Sequence, residues 1–161
     1  MKRLARLAQV GCTVALATAA TGTGALTANP DGLWSGTVKC TGKSQSDLSP
    51  TATLGPFAVN VDILGNEGIV ENRFGTNKAD ALYLGAYFPD PAHPAAKGTL
   101  GFALAFSPLV EASETGQSKL ETKKDGKITM DGKSYLLADF GDAFSGSCDW
   151  KLTKQSDPLP P

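Results

Sequence analysis

Few residues of this 161-residue chain are of types that could perform nucleophilic or acid–base chemistry in a recognisable arrangement. His93 is the single histidine, and it lies in the proline-rich segment Pro91–Pro94. A serine triad needs a held imidazole, and no Gly-x-Ser-x-Gly turn presents a serine here. A glycosidase-like pair of carboxylates leaves no local motif, so such a pair stays an open alternative. We therefore expect a protein that is not an enzyme and has no catalytic residues to assign.

Short motifs that resemble phosphate or metal sites lack the partners that those sites need. The Gly-Lys-Ser triplets at 42–44 and 132–134 resemble the end of a P-loop, but each lacks the preceding glycine and the following helix. Asp139, Asp142 and Asp149 lack the alternate-residue spacing of a calcium loop. Of the three cysteines, Cys12 lies in the predicted signal peptide, and the other two are expected to pair, so that one histidine remains and no nitrogen–sulfur zinc site can form. We expect no metal and no cofactor.

The cysteines point instead to structural chemistry. Cys40 and Cys148 each lie on the apolar side of an alternating segment, and Trp34 and Trp150 share those two sides. Two cysteines in an exported chain normally pair, and no C-x-x-C motif suggests a redox-active site. The sequence therefore predicts a structural disulfide between Cys40 and Cys148. That bond requires the first and last strands to meet in space.

The N-terminal segment predicts export. A basic start at Lys2–Arg6 precedes the apolar, small-residue stretch Leu7–Ala20, as in a secretory signal. Fourteen residues at about 1.5 Å each are too short to cross a hydrocarbon core of about 30 Å. We expect residues 1–28 to be a signal peptide, cleaved between positions 19 and 28, of a bacterial periplasmic or secreted protein. An uncleaved anchor and lipid attachment at Cys12 are the alternatives, and we expect no stable membrane span in the mature chain.

The elements that remain are strands and turns. Residues 29–156 alternate apolar and polar positions with period two and predict a single all-β domain of eight or nine strands. Either a small antiparallel barrel or a closely related β-sandwich fits this alternation. We expect a loop over 43–56, hairpin turns at Asp125–Gly126 and Asp131–Gly132, and a proline-rich tail over 157–161.

Aromatic residues are the candidates for contact with a ligand or partner. Tyr83 and Tyr87 share one side of a strand, where they would line a pocket if inward or form a contact patch if outward. Every second residue from Leu100 to Phe106 is large and apolar, which predicts that Phe102 and Phe106 point inward. A face of large residues opposite a face of small ones is typical of a strand that is packed on one side.

The triplet Gly32–Trp34 resembles the Gly-x-Trp that begins the first strand of lipocalins and related calycin barrels. This resemblance implies an eight-stranded barrel that holds small apolar ligands, with Trp34 plugging its closed end. Such barrels often place an arginine of the last strand over the tryptophan. Here Lys151 and Lys154 are the nearby cations, so that feature departs from the pattern.

These observations lead to two hypotheses about function. The first is non-catalytic binding of a small, largely apolar ligand inside the domain, with Trp34, Tyr83, Tyr87, Phe102 and Phe106 as candidate contacts. A filled interior without a cavity of about 300 Å³ would count against it. The alternative is an envelope protein–protein interaction module or inhibitor that acts through an exposed aromatic patch. A formal net charge of −1 gives no electrostatic signature of nucleic-acid binding, so we expect no such partner.

Overall fold

A computed structural model describes residues 28–45 and 51–158 of the chain. Almost all of the predicted signal peptide, Cys12 and the last three residues therefore lie outside the described residues. No helix within the described ranges is long and apolar enough to span a membrane. The eight strands are β1 Gly32–Ser44, β2 Ala52–Leu64, β3 Glu67–Glu71, β4 Ala79–Pro89, β5 Lys97–Phe106, β6 Glu111–Thr122, β7 Ile128–Asp139 and β8 Ala143–Ser156.

The strands form one closed antiparallel barrel in which every strand pairs with its neighbours in chain order and β1 pairs with β8. This confirms the all-β prediction and decides the barrel against the sandwich. Buried and exposed positions alternate along β3, β6, β7 and β8, as the sequence pattern indicates, and less regularly along β4 and β5. Because closure pairs the edges of β1 and β8 with each other, neither strand is left with an unpaired edge.

One predicted turn is wrong. Gly126 has a φ of +82° and lies in the turn between β6 and β7, as expected, but Asp131–Gly132 lies within the continuous strand β7. Gly132 pairs with Ser118 on one side and Trp150 on the other. The Ser118 side chain lies where a Cβ at position 132 would be. The glycine therefore permits close packing of β6 on β7, and the Asp-Gly pair is no turn signal here.

The predicted loop over 43–56 is shorter than expected, because β2 already begins at Ala52. Gly55 and Pro56 lie between the pairs Val38–Phe57 and Cys40–Leu54, where the register of β1 and β2 shifts. Bulges of this kind accommodate a proline that lacks the N–H of a regular ladder. The polar residues and prolines of this segment therefore led to a predicted start of β2 that is too late.

The disulfide between Cys40 and Cys148 is present, and its two residues are directly paired on β1 and β8. Both cysteines are buried. The bond spans 108 residues of sequence and on the chain-entropy estimate contributes about 4–5 kcal/mol to stability. A structural disulfide is typical of an oxidising, extracytoplasmic compartment.

One end of the barrel, which we call the Trp34 end, contains the start of β1, the β2–β3 turn and the end of β8. Trp34 is 1 % exposed there, and its indole N–H donates a hydrogen bond of 2.7 Å to the carbonyl of Pro30. Lys154 lies over the Trp34 ring, with its Nζ 5.8 Å from the ring centroid. A lysine of the last strand thus lies over Trp34, where the resemblance to calycins implies an arginine. The opposite end, which we call the Arg73 end, contains the β3–β4 loop.

Candidate ligand-binding cavity

The interior contains an apolar cavity of about 50 Å³ in the half nearer the Trp34 end. It opens to solvent at the β2–β3 turn, where exposed residues from Gly65 to Glu67 form its rim together with Leu84. Its volume is well below the 300–1,000 Å³ typical of sites for drug-sized ligands, so the criterion of about 300 Å³ stated above is not met, which counts against a ligand of that size. The inner walls consist of Val61, Ile63, Gly68, Val70, Tyr83, Gly85, Leu100, Phe102, Ser118, Met130, Trp150 and Leu152.

Two of the five predicted aromatic contacts, Tyr83 and Phe102, line this cavity. Their rings meet edge to face with centroids 5.8 Å apart, and Trp150 contacts both rings at 5.8 and 5.7 Å. The three rings form one wall in the geometry that aromatic pairs prefer. Their mutual contacts hold this wall in place.

The other three predicted contacts do not line the cavity. Tyr87 points into the Trp34 end, where its hydroxyl donates a hydrogen bond of 2.8 Å to the carbonyl of Ala28. Burial raises the pKa of this phenol above its ordinary value. Trp34 closes the same end. Both residues therefore cap the barrel.

Phe106 is the one predicted inward residue that the structure places outside, with 59 % of its surface exposed. Tyr83 pairs with Leu104, but the adjacent Leu82 pairs with Phe106, so Ala105 is an extra residue in β5. Such a bulge reverses which side the following residue faces. The alternation that predicted an inward Phe106 ends at this bulge.

Tyr83 and Tyr87 share the inward side of β4, so they do not form the exposed patch considered in the second hypothesis. Leu84, Ala86 and Phe88 occupy the outward side of this strand, and Phe88 is 63 % exposed. None of these outward residues carries a charge. An exposed apolar surface therefore exists on β4, but it is built from the residues opposite to the two tyrosines.

Beneath the aromatic wall lies a buried ion pair that the sequence did not predict. Arg73 reaches in from the β3–β4 loop and Glu114 from β6, with Nη2 and Oε2 2.7 Å apart and both side chains fully buried. Tyr83 donates its hydroxyl hydrogen to the same carboxylate at 2.7 Å and accepts from Arg73 Nε at 3.2 Å. The phenol therefore joins the cavity wall to the ion pair.

These contacts perturb the ionisation of two members of the group. Burial and the neighbouring Glu114 carboxylate raise the pKa of Tyr83 well above its ordinary value, which keeps the phenol protonated. Burial by itself would lower the pKa of Arg73, but the Glu114 carboxylate and the Tyr83 phenol outweigh it and raise that pKa. Arg73 is therefore a permanent cation inside the barrel.

Further contacts fill the space around the ion pair. Ser134 donates a hydrogen bond to Glu114 Oε1, and the Trp150 indole N–H donates to Ser134 Oγ at 2.9 Å. Arg73 Nη2 lies 3.4 Å from each sulfur of the disulfide. We call Arg73, Glu114, Ser134 and the disulfide the polar plug. It closes the half of the interior nearer the Arg73 end.

The β3–β4 loop is built to deliver Arg73. The buried carboxylate of Asp80 accepts hydrogen bonds of 2.8 Å from the backbone N–H groups of Arg73 and Phe74. It also accepts one of 2.9 Å from the Thr76 hydroxyl. A carboxylate that bonds several backbone amides fixes the local turn. Asp80 therefore positions Arg73 and does not face the cavity.

The described residues contain no group of three or more His, Cys, Asp or Glu side chains that could hold a metal ion. His93 lies in the β4–β5 loop with 63 % of its side chain exposed, 3.8 Å from Asp90. Comparisons of the chain with protein families, with curated proteins and with solved structures found no match. A function must therefore be argued from the cavity and its surroundings.

Proposed function

We propose that this barrel is a non-catalytic binding protein that holds a small, largely apolar molecule in the interior cavity. The observation that supports this best is an apolar space that opens to solvent at the β2–β3 turn. Protein interiors are close-packed and leave few voids larger than a water molecule. An open, apolar cavity in the barrel interior is the default location for a ligand.

The cavity volume limits the size of what binds. About 50 Å³ accommodates a compact group of a few heavy atoms, or the end of a longer chain whose remainder leaves through the opening. Gly65 and Gly68 line this opening side and present no side chain that would obstruct passage. The ligand is therefore limited to smaller molecules, or to narrower chain ends, than the small apolar ligands that the calycin resemblance implies.

The disulfide supports an oxidising location for this activity. We propose that the predicted signal peptide, residues 1–28, directs the protein to the bacterial periplasm or to the medium. Its activity would then be to sequester or carry a small apolar compound outside the cytoplasm.

Replacement of Gly68 tests the cavity directly. Gly68 lies on the inward side of β3, and an added Cβ would meet only Ile63 Cγ1, at 3.7 Å. A Gly68→Leu side chain should therefore occupy the cavity without a clash at Cβ. The matched control is Gly101→Leu on the outward side of β5, where an added Cβ comes no closer than 4.0 Å to any atom.

The probe is cyclopentane, observed by NMR through the methyl group of Met130. Met130 lines the cavity and is the one methionine besides Met1, so methionine-methyl labelling yields a readily assigned signal. We expect cyclopentane to shift this signal in a saturable way in the wild type and in the Gly101→Leu control. In Gly68→Leu we expect no shift. A wild-type signal that never responds, or an equal response in both variants, would overturn the proposal.

The natural ligand can be sought by native mass spectrometry of the mature protein from its own host. An additional mass that disappears on denaturation, and that Gly68→Leu lacks, would support the proposal and narrow the ligand class. If that mass persists in Gly68→Leu but is absent from Gly101→Leu, the bound molecule occupies the outer surface and the cavity is not its site.

An interaction module remains a second candidate, favoured by the uncharged outward side of β4 with its exposed Leu84 and Phe88. Its natural partner would be an envelope protein with a complementary apolar surface. Phe88→Ser should then abolish a cross-link to this partner in the host envelope without lowering the melting temperature. Phe88 does not line the cavity, so binding of cyclopentane at Met130 would be unchanged in this variant and the two candidates are separable.

A further inference from the structure

Ser118 is a polar residue on an otherwise apolar part of the cavity wall. It is 2 % exposed, lines the cavity, and lies on β6 between Leu100 of β5 and Gly132 of β7. The rim of the cavity belongs to β2, β3 and β4, about halfway round the eight-stranded barrel. A molecule that enters past the β2–β3 turn therefore meets Ser118 on the far wall.

The Ser118 hydroxyl makes no hydrogen bond with another group of the described residues. It is not one of the fully enclosed unpaired atoms, which are Arg73 Nη1, Ser107 Oγ and Thr129 Oγ1, and it lies on the wall of the open cavity. The polar groups of the two aromatic residues in the cavity wall are satisfied: the Tyr83 hydroxyl bonds Glu114, and the Trp150 indole bonds Ser134. Buried hydroxyls nearly always have a partner, because the loss of their hydrogen bonds to water is costly. An unpaired hydroxyl on the wall of an open cavity is available to a partner from outside the chain, which is water when the cavity holds no ligand and a ligand oxygen when it does.

The charges around the cavity restrict the chemistry of this partner. No charged side chain lines the inner wall, since Glu67 lies at the exposed rim. Arg73 and Glu114 neutralise each other and do not line the cavity. A carboxylate or ammonium group on the ligand would therefore lose its hydration without gaining an opposite charge.

We infer that the cavity binds a small neutral molecule that carries one hydrogen-bonding oxygen, an alcohol or a carbonyl compound, and that Ser118 holds this oxygen. The hydroxyl can donate to a carbonyl, and with an alcohol it can donate or accept. The apolar remainder of the ligand packs against the aromatic wall of Tyr83, Phe102 and Trp150. This inference rests on the proposed function and specifies its ligand class.

Two probes of the same shape separate the oxygen from the hydrocarbon. Cyclopentanol and methylcyclopentane differ by a hydroxyl in place of a methyl group, and both are titrated against the Met130 methyl signal. Ser118→Ala removes the wall hydroxyl and leaves the backbone unchanged. Ser113→Ala is the matched control, because Ser113 lies on the outward side of the same strand.

We expect Ser118→Ala to raise the Kd of cyclopentanol roughly five- to tenfold, the effect of one ordinary hydrogen bond. The same variant should leave the Kd of methylcyclopentane unchanged or lower it, and Ser113→Ala should affect neither probe. If cyclopentanol binds Ser118→Ala as tightly as the wild type while methylcyclopentane binds both, the inference is wrong and the proposed function stands. If neither probe shifts Met130 in the wild type, both are wrong.

Discussion

The two halves of the barrel interior use the same strands in opposite ways. Toward the Arg73 end the polar plug fills the space with an ion pair, a serine hydroxyl and a disulfide. Toward the Trp34 end the walls are apolar and leave a cavity with an opening to solvent. The half toward the Arg73 end contains the groups that are costliest to bury. The half toward the Trp34 end has apolar walls, which side chains could fill easily, and yet it contains the cavity.

Two residues at the boundary between the halves connect the polar plug to the cavity wall. Tyr83 and Trp150 present their rings to the cavity, while the polar atoms of both side chains bond to the plug. Since a hydrogen bond at one edge fixes the tilt of a ring, the plug orients the aromatic wall. The polar half thus acts as a rigid base for the apolar half. Substitutions in the two halves should therefore have effects of different size and sign.

The largest effect is expected from Glu114→Ala. This change leaves Arg73 charged and buried without its partner, and the loss of one member of a buried ion pair typically costs 3–5 kcal/mol. Arg73 Nη1 already donates no hydrogen bond in the described part of the chain. The guanidinium therefore depends strongly on its remaining bonds, among them those to Glu114. Urea unfolding at neutral pH, followed by tryptophan fluorescence, measures the change in the free energy of unfolding.

The companion variant replaces both charges, Arg73→Met with Glu114→Leu. Apolar replacement of a whole buried pair is often neutral or stabilising, so we expect most of the loss to be recovered. A single-variant loss below about 1 kcal/mol would show that water reaches the plug, since a hydrated guanidinium does not need the carboxylate. The filled half would then differ less from the cavity half than the structure indicates.

The all-β fold and the disulfide were predictable because both follow from period-two alternation, which left the choice between barrel and sandwich open. Trp34, Val38 and Cys40 share one side of β1, as Cys148 and Trp150 do on β8. Burial of those sides against each other demands that the two strands meet. Alternation does not report bulges, which explains why Phe106 was predicted inward. The turn at Asp131–Gly132 was predicted from the Asp-Gly pair, although this pair lies within β7.

The polar plug was not predictable from apolar periodicity. Glu114 lies on a strand, β6, with polar residues on both sides, and Arg73 comes from a loop that shows no alternation. One signal was present: in a closed barrel every strand has an inward side, so a strand that is polar on both sides must bury polar groups. The cavity left no comparable signal, because an unfilled volume depends on how side chains from several strands meet.

In the cavity half the expected change is smaller and of opposite sign. Gly68→Leu adds apolar atoms to an apolar space, and filling a cavity commonly stabilises a protein by about 1 kcal/mol. The absence of a close neighbour around position 68 indicates that the added side chain is not strained at Cβ. The same urea titration measures this change in the free energy of unfolding. Gly101→Leu, on the outward side of β5, is the control and should be stabilised less. Destabilisation by more than about 1 kcal/mol would mean that the cavity is overpacked by leucine.

The smallest effect concerns Tyr83, which belongs to both halves. Its raised pKa means that the folded barrel holds the phenolic proton more tightly than the unfolded chain does. The stability that this proton binding contributes is fully present below pH 10, about the ordinary pKa of tyrosine, and declines as the pH rises above it. One extra proton bound to the folded state corresponds to a slope of at most about 1.4 kcal/mol per pH unit.

Tyr83→Phe removes the phenolic group that binds this proton. The free energy of unfolding of the variant should therefore decline less steeply above pH 10 than that of the wild type. Between pH 10 and 10.5 the wild type should lose up to about 0.7 kcal/mol more stability than the variant. Urea unfolding of both proteins at matched pH isolates the contribution of Tyr83, because the other titrating groups are common to both. Equal slopes would indicate that the folded protein releases the phenolic proton as readily as the unfolded chain. In that case the Tyr83 hydroxyl would be hydrated through the cavity, and the boundary between the two halves would be open to water.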